Sequence, residues 1–201
     1  MNKIFLVVLS LGLMSCATNH SVKNVASQGD KQISIELSTA IKMSETEGTE
    51  LFEKYTSLNG TEKPSSREAE LMLMLKEQMC KGDYQPIAII REEKKLESIY
   101  FLLMPDRDTG VQFGRHFRMD FKLGTNDIDS LELSTKGCIL IPSNEKKGSN
   151  AVALFITHLL TEAPTEFHVF LSLYHKKTVF VSTSQGLWKV EQGKIVRTKS
   201  A

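Results

Sequence analysis

The chain has 201 residues, with 25 Lys and Arg against 24 Asp and Glu. That near-neutral balance lacks the basic excess a phosphate-backbone binder needs, so nucleic acid is not an expected partner. The length suits one domain of ordinary size, or one domain plus a tether.

The first residues carry the clearest signal. Lys3 supplies a positive start, Ile4 to Leu9 and Leu11 to Met14 an apolar core broken only by Ser10, and Ser15 a small residue before Cys16. A secretory signal has this layout, with an apolar region of about 7–15 residues. The stretch is too short for a spanning helix, which needs about 20 apolar residues. A cysteine at the cleavage point changes plain secretion into lipid anchoring, because its thiol can take up a diacylglycerol. Leu13-Met14-Ser15-Cys16 resembles the lipobox of bacterial lipoproteins. Leu13 matches the large apolar position, Ser15 the small one and Cys16 the acceptor, while Met14 stands where a small or β-branched residue is commoner. The resemblance implies removal of residues 1–15, lipidation of Cys16 and attachment to a membrane through acyl chains. Ala17 stands where an Asp would mark inner-membrane retention in enteric lipoproteins. By the same resemblance the expected place is the outer membrane, facing the periplasm. An ordinary signal peptide cut before Ala17 or Thr18 is the alternative.

Removing residues 1–15 takes away Lys3 and no acid, which leaves 186 residues with 24 basic and 24 acidic side chains. No polybasic run follows the anchor, so attachment would come from acyl chains rather than lipid charge. Residues 16–31 are polar and small, as in Thr18, Asn19, Ser21, Asn24 and Gly29, and read as a flexible tether. Residues 32–201 read as a single domain, with a helical part over about 38–82 and a β part over about 85–199.

Gln32 to Leu37 alternates Ile33, Ile35 and Leu37 against Gln32, Ser34 and Glu36, a short strand signal. Leu51, Phe52, Tyr55 and Leu58 then share a helical face over about Glu45 to Leu58, and Asn59-Gly60 ends it. Ser65-x-x-Glu68 is a capping box for a second helix. It runs free of Gly, Pro and β-branched residues from Glu68 to Lys81 and stops at Gly82. Leu71 to Leu75 is apolar nearly all round, which predicts burial on more than one side, and Met72, Met74 and Met79 read as gap-filling core.

From Gln85 onward the pattern is that of strands. Pro86 to Arg91 and Ser98 to Met104 are continuous apolar runs suited to strands covered on both faces, separated by the charged turn Glu92 to Lys95. Val111 to Leu123 alternates throughout. Val111, Phe113, Phe117, Met119, Phe121 and Leu123 fall on one face, and Gln112, His116, Arg118, Asp120 and Lys122 on the other. Further strands are predicted near Ser130–Ser134, Cys138–Ile141, Val152–Leu160, Glu166–Tyr174, Thr178–Thr183, Leu187–Val190 and Lys194–Thr198. Val152–Leu160 is equally compatible with a short buried helix. Lys176-Lys177 and Gln192-Gly193 are candidate hairpin turns. Two N-terminal helices followed by roughly eight to ten strands argue for an α+β fold. The expected arrangement is two N-terminal helices packed on a curved, mainly antiparallel sheet, half-barrel or sandwich-like.

Candidate chemistry is sparse. Cys80 and Cys138 are the two cysteines beyond Cys16. An oxidising periplasm suits a disulfide between them, and two buried thiols are the alternative. Neither has a neighbour at zinc-ligand spacing, and no metal or cofactor is expected. Arg115 falls on the apolar face between Phe113 and Phe117. There it is either an anchor for the head of an anionic or lipid-like ligand, or the product of a bend at Gly114 that turns it outward. Asp106-Arg107-Asp108-Thr109-Gly110 opens like a calcium loop but lacks the remaining ligands, and reads as a turn. His116, His158, His168 and His175 form no metal-binding spacing and read as structural. No nucleophile elbow or phosphate-binding glycine loop occurs. The whole reads as a lipid-anchored envelope protein that works as a non-enzymatic interaction or accessory module with an unidentified envelope partner. The alternatives are a periplasmic carrier of an apolar, lipid-like ligand and, third, an unrecognised hydrolase.

Overall fold

The computed structural model describes residues 33–58, 63–105, 109–142 and 153–198. The chain divides into Met1–Asp30 and a unit Lys31–Ala201 that holds all of the described residues. Cys16, the 16–31 tether, Asn59-Gly60 and Asp106-Arg107-Asp108 lie outside them.

In chain order the elements are α1 (Ile35–Ser57), α2 (Ser66–Leu75), β1 (Tyr84–Arg91), β2 (Leu96–Leu103), β3 (Gly110–Gln112), β4 (Phe117–Lys122) and β5 (Ile128–Leu133). They continue with β6 (Leu140–Pro142), β7 (Ala153–Thr157), α3 (Glu166–His175), β8 (Thr178–Thr183), β9 (Gly186–Glu191) and β10 (Lys194–Arg197). The fold is mixed α+β, with mainly antiparallel sheets and no closed barrel among the described residues. One sheet has the order β1-β2-β4-β5, a second β10-β9-β8-β7, and β3 pairs with β6 alone. Every pair is antiparallel except β7 with β8, which run parallel because α3 carries the chain from one to the other.

The helices depart from the sequence reading in three places. The alternating stretch at Ile33–Leu37 is not a strand: Ser34 caps α1 by accepting the Leu37 N–H at 3.1 Å, and the helix begins at Ile35. The cap outweighs a short alternation that has no sheet to join. The second helix keeps its capping box, with the Ser65 N–H donating to the Glu68 carboxylate at 2.7 Å. It ends at Leu75 in a 3₁₀ turn and is buried on one side only, with Leu71 and Leu75 inside and Leu73 71 % exposed. The predicted strand at Glu166–Tyr174 is α3, whose residues from Glu166 to Ser172 are all buried. A helix buried on every face shows no polar period, so its apolar residues also satisfy a strand pattern. Lys176-Lys177 accordingly ends α3, with Lys176 in the left-handed region, and is not a hairpin. Gln192 and Gly193, both at positive φ, do turn β9 into β10.

The first sheet is covered on both faces. Leu71 and Leu75 of α2 pack with Ile99, Phe101, Phe117, Met119 and Phe121 on one side. On the other, Ile87, Ile89, Tyr100 and Leu102 join residues of α1, α3 and the second sheet in the main core. α1 packs most extensively on α3 rather than on a sheet.

The long alternating segment Val111–Leu123 is two strands. At Gly114 the backbone is so close to residues 137–139 that a Cβ would lie 2.2 Å from the Gly137 carbonyl oxygen. Arg115 follows in the left-handed region, at φ 61°. The kink reverses the faces: Val111 and Phe113 enter the main core, while Phe117, Met119 and Phe121 enter the α2 core. A disulfide joins Cys80, just after α2, to Cys138 beside this kink, with a Cα–Cα distance of 5.8 Å.

Candidate functional site

The polar face of β4 looks inward. Antiparallel register places Ile87, Tyr100, Arg118 and Glu132 on one rung and Ile89, Ser98, Asp120 and Ser130 on the next. This end of the sheet faces α1 and the start of α3, which bring Glu47 and Glu166 to it.

Arg118 is the hub. Its Nη1 lies 2.6 Å from Glu166 Oε1 and 3.3 Å from Glu47 Oε2, and its Nε donates to Asp120 Oδ2 at 3.2 Å. Arg91 forms the second tier. Its Nη1 donates to Ser98 Oγ at 2.6 Å, and its Nη2 to Glu50 at 3.0 Å and to the Tyr100 hydroxyl at 3.3 Å. Ser98 Oγ donates onward to Asp120 Oδ1 at 2.5 Å, and Ser130 Oγ to Asp120 Oδ2 at 2.8 Å. Lys94, in the turn between β1 and β2, reaches Glu47 Oε1 at 2.9 Å.

Buried charges persist only when paired: Arg118, Arg91, Glu47 and Asp120 each have three or four partners, and Glu166 has Arg118. Burial pushes the Glu166 carboxyl up, and Arg118 beside it pulls back down. Burial works against the Arg118 charge, but Glu166, Tyr100, Asp120 and Glu47 outweigh it and raise its pKa. Burial likewise raises the Tyr100 phenol, which stays protonated as a donor or acceptor in the network.

Above Arg118 opens a cleft of about 350 Å³. Its floor is ionic, and its walls include Met43 of α1, Leu96, Leu133, Phe167 and, from the loop before α3, Leu160. A neighbouring groove of about 720 Å³ on the other side of Glu47 is bordered by Lys42, Glu45, Glu50, Glu53, Lys94 and Lys194.

Buried imidazoles hold the loop that borders the cleft. His158 Nε2 donates to Thr161 Oγ1 at 2.8 Å, and that hydroxyl donates to the Ala163 carbonyl at 2.6 Å. The Thr165 N–H donates to His168 Nδ1 at 3.1 Å. The two rings meet edge to face with centroids 4.8 Å apart. His116 accepts the Leu103 N–H at Nδ1, 3.2 Å, and donates from Nε2 to the Gln112 carbonyl, 2.8 Å. Burial pushes His116 down to about 4 and His168 down to about 3, and it also lowers His158. All three act as neutral structural rings.

The residues singled out by sequence lie elsewhere. Arg115 is half-buried at the kink, apart from the cleft wall. Its backbone carbonyl accepts the Tyr84 hydroxyl at 3.0 Å, and its N–H donates to Thr135 Oγ1 at 3.2 Å. Cys80 and Cys138 are in the disulfide described above. The sequence reading missed Glu47, Arg91, Arg118, Asp120 and Glu166. Arg118 and Asp120 were visible as the polar face of a strand, which reads as solvated until α1 and α3 cover it. Among the described residues no group of three or more His, Cys, Asp or Glu side chains could hold a metal ion, and no helix is long and apolar enough to cross a membrane. No protein-family model, curated protein or solved structure matches this chain.

Proposed function

We propose that this chain is a lipid-anchored protein of the bacterial envelope, held at the outer membrane through Cys16, and that it works as a non-enzymatic interaction module. The Leu13–Cys16 lipobox pattern supports the anchor. The cleft above Arg118 is the observation that carries the interaction reading. Its floor presents Glu47, Asp120 and Glu166 already engaged by arginines, lysine or serines. Carboxylates committed in this way favour recognition over proton transfer, because a general base needs an open lone pair within reach of its substrate. The carrier reading gains less support, since a lipid tail needs a mostly apolar cavity and the two larger cavities beside α1 are lined with charge.

The test joins both parts. In a bacterium that processes lipoproteins, the native chain takes up an alkyne-tagged fatty acid and fractionates with membranes, and Cys16→Ser does neither. A photoreactive side chain at Met43, on the cleft rim, gives a discrete protein adduct that Leu160→Glu abolishes and that a probe at Lys81 does not give. An unlabelled native chain overturns the anchor. The lack of a Leu160-dependent adduct overturns the interaction module.

A further inference from the structure

The state of each hydrogen-bonding group in the cleft specifies its ligand more narrowly. Both oxygens of Glu47 are engaged, one by Lys94 and one by Arg118. Both oxygens of Asp120 are engaged, one by Ser98 and one by Arg118 and Ser130. Arg118 uses Nε and Nη1 on these acids. Its Nη2 has no acceptor among the described residues, and the side chain, 19 % exposed, forms part of the cleft wall. The group on offer is therefore a donor. Three carboxylates surround it, so an anion arriving at Nη2 meets Glu47, Asp120 and Glu166 at close range. A cation finds both oxygens of Glu47 and Asp120 and one of Glu166 already taken, and meets Arg91, Lys94 and Arg118 in the same wall. The complement is an uncharged acceptor, and an amide carbonyl is the strongest of these.

The walls add the second half. Met43 and Leu160 are 45 % and 39 % exposed at the rim, and Phe167 and Leu133 lie deeper. These side chains suit an aliphatic group attached close to the carbonyl. The volume of about 350 Å³ lies at the small end of the range for ligand sites. We propose that the cleft binds an uncharged peptide segment of a protein partner, one backbone carbonyl on Arg118 Nη2 and the adjoining aliphatic side chain against Met43 and Leu160. The inference rests on the interaction reading and supplies its chemistry.

Blocked amino acids separate the possibilities. The soluble chain, residues 19–201, is titrated with N-acetyl-leucine methylamide and followed by NMR at the Arg118 side chain and the Ser98, Leu160 and Thr161 amides. A ligand of this size is expected to saturate with a Kd on the order of 1 mM. N-acetyl-leucine, an anion, and leucinamide, a cation, are expected to bind at least about tenfold more weakly. Leu160→Glu and Met43→Glu, both at exposed rim positions, are expected to weaken the methylamide to a similar degree while leaving the urea midpoint unchanged. The assignment is overturned if the anion binds as well as the amide. It is overturned equally if a neutral disaccharide saturates the cleft and the amide does not, or if the shifts fall elsewhere. Failure of the methylamide leaves a Leu160-dependent adduct at Met43 standing. Absence of that adduct removes the interaction module itself.

Discussion

Gly48 of α1 lies against Val169 of α3 so closely that a Cβ on Gly48 would sit 2.5 Å from the valine Cβ and 2.6 Å from the Glu166 carbonyl oxygen. This close approach sets the site. Glu47 and Glu166 flank the contact on opposite helices, and both reach Arg118.

Gly48→Ala tests the contact with a sign that helix propensity alone would not produce. In an open helix the change stabilises by about 1 kcal/mol. Here the methyl meets a branched side chain and a backbone oxygen, and overpacking costs about 1–3 kcal/mol. Because the methyl would meet a backbone oxygen that cannot swing away, the cost is expected at the upper end and the net destabilisation in urea unfolding at up to about 2 kcal/mol. A stabilised variant would mean that the helices stand further apart.

Arg118→Leu is expected to cost about 3–5 kcal/mol, because it leaves Glu166 buried without its cation. Glu166→Gln added to that variant removes the orphaned charge and restores a large part of the loss. The double-mutant cycle, by urea unfolding, measures the coupling. Additive effects would show that the pair is not formed in solution.

Acid weakens the fold through its histidines. His116 and His168 have native pKa values near 4 and 3, below the unfolded value near 6.5. The unfolded chain therefore binds more protons through that interval, and stability falls as pH drops below about 6.5. The Glu166 carboxyl, raised by burial, works in the opposite direction and softens the slope on the acid side. Urea midpoints at pH 7, 5.5 and 4.5 should decline in order, and less steeply in His116→Gln. A flat profile would mean that the rings are not buried neutral.

The Cys80–Cys138 bond spans 58 positions. Cross-linking a loop of that length stabilises by about 4 kcal/mol in the chain-entropy account. The native chain should have an intact mass two hydrogens lighter than its reduced form. The Cys80→Ser/Cys138→Ser variant should unfold at correspondingly lower urea.

Legibility followed how local each signal is. The α2 cap was readable because Ser65 and Glu68 satisfy each other within one turn. The strand pair β1–β2 was readable from two apolar runs around a charged turn. α3 was misread, although Thr165 ahead of it with His168 three residues on was a weak capping signal. The site was missed for a related reason. Arg118 and Asp120 sit at polar positions of an alternating strand, and alternation records which residues share a face, not what lies opposite.

By itself the sequence determined the α+β class, the cap of α2 and the turn at Gln192-Gly193. Those features depend on spacings of a few residues and on side chains bonding to nearby backbone. Only the tertiary structure decided that Val111–Leu123 breaks at Gly114 and feeds two cores, that α3 crosses between the parallel strands β7 and β8, and that Glu47, Arg91, Arg118, Asp120 and Glu166 converge. Glu47 and Glu166 reach Arg118 from 71 and 48 residues away. Charges so distant in sequence can pair only after the helices and the sheet that carry them have packed, because packing removes the water that would otherwise solvate each one separately.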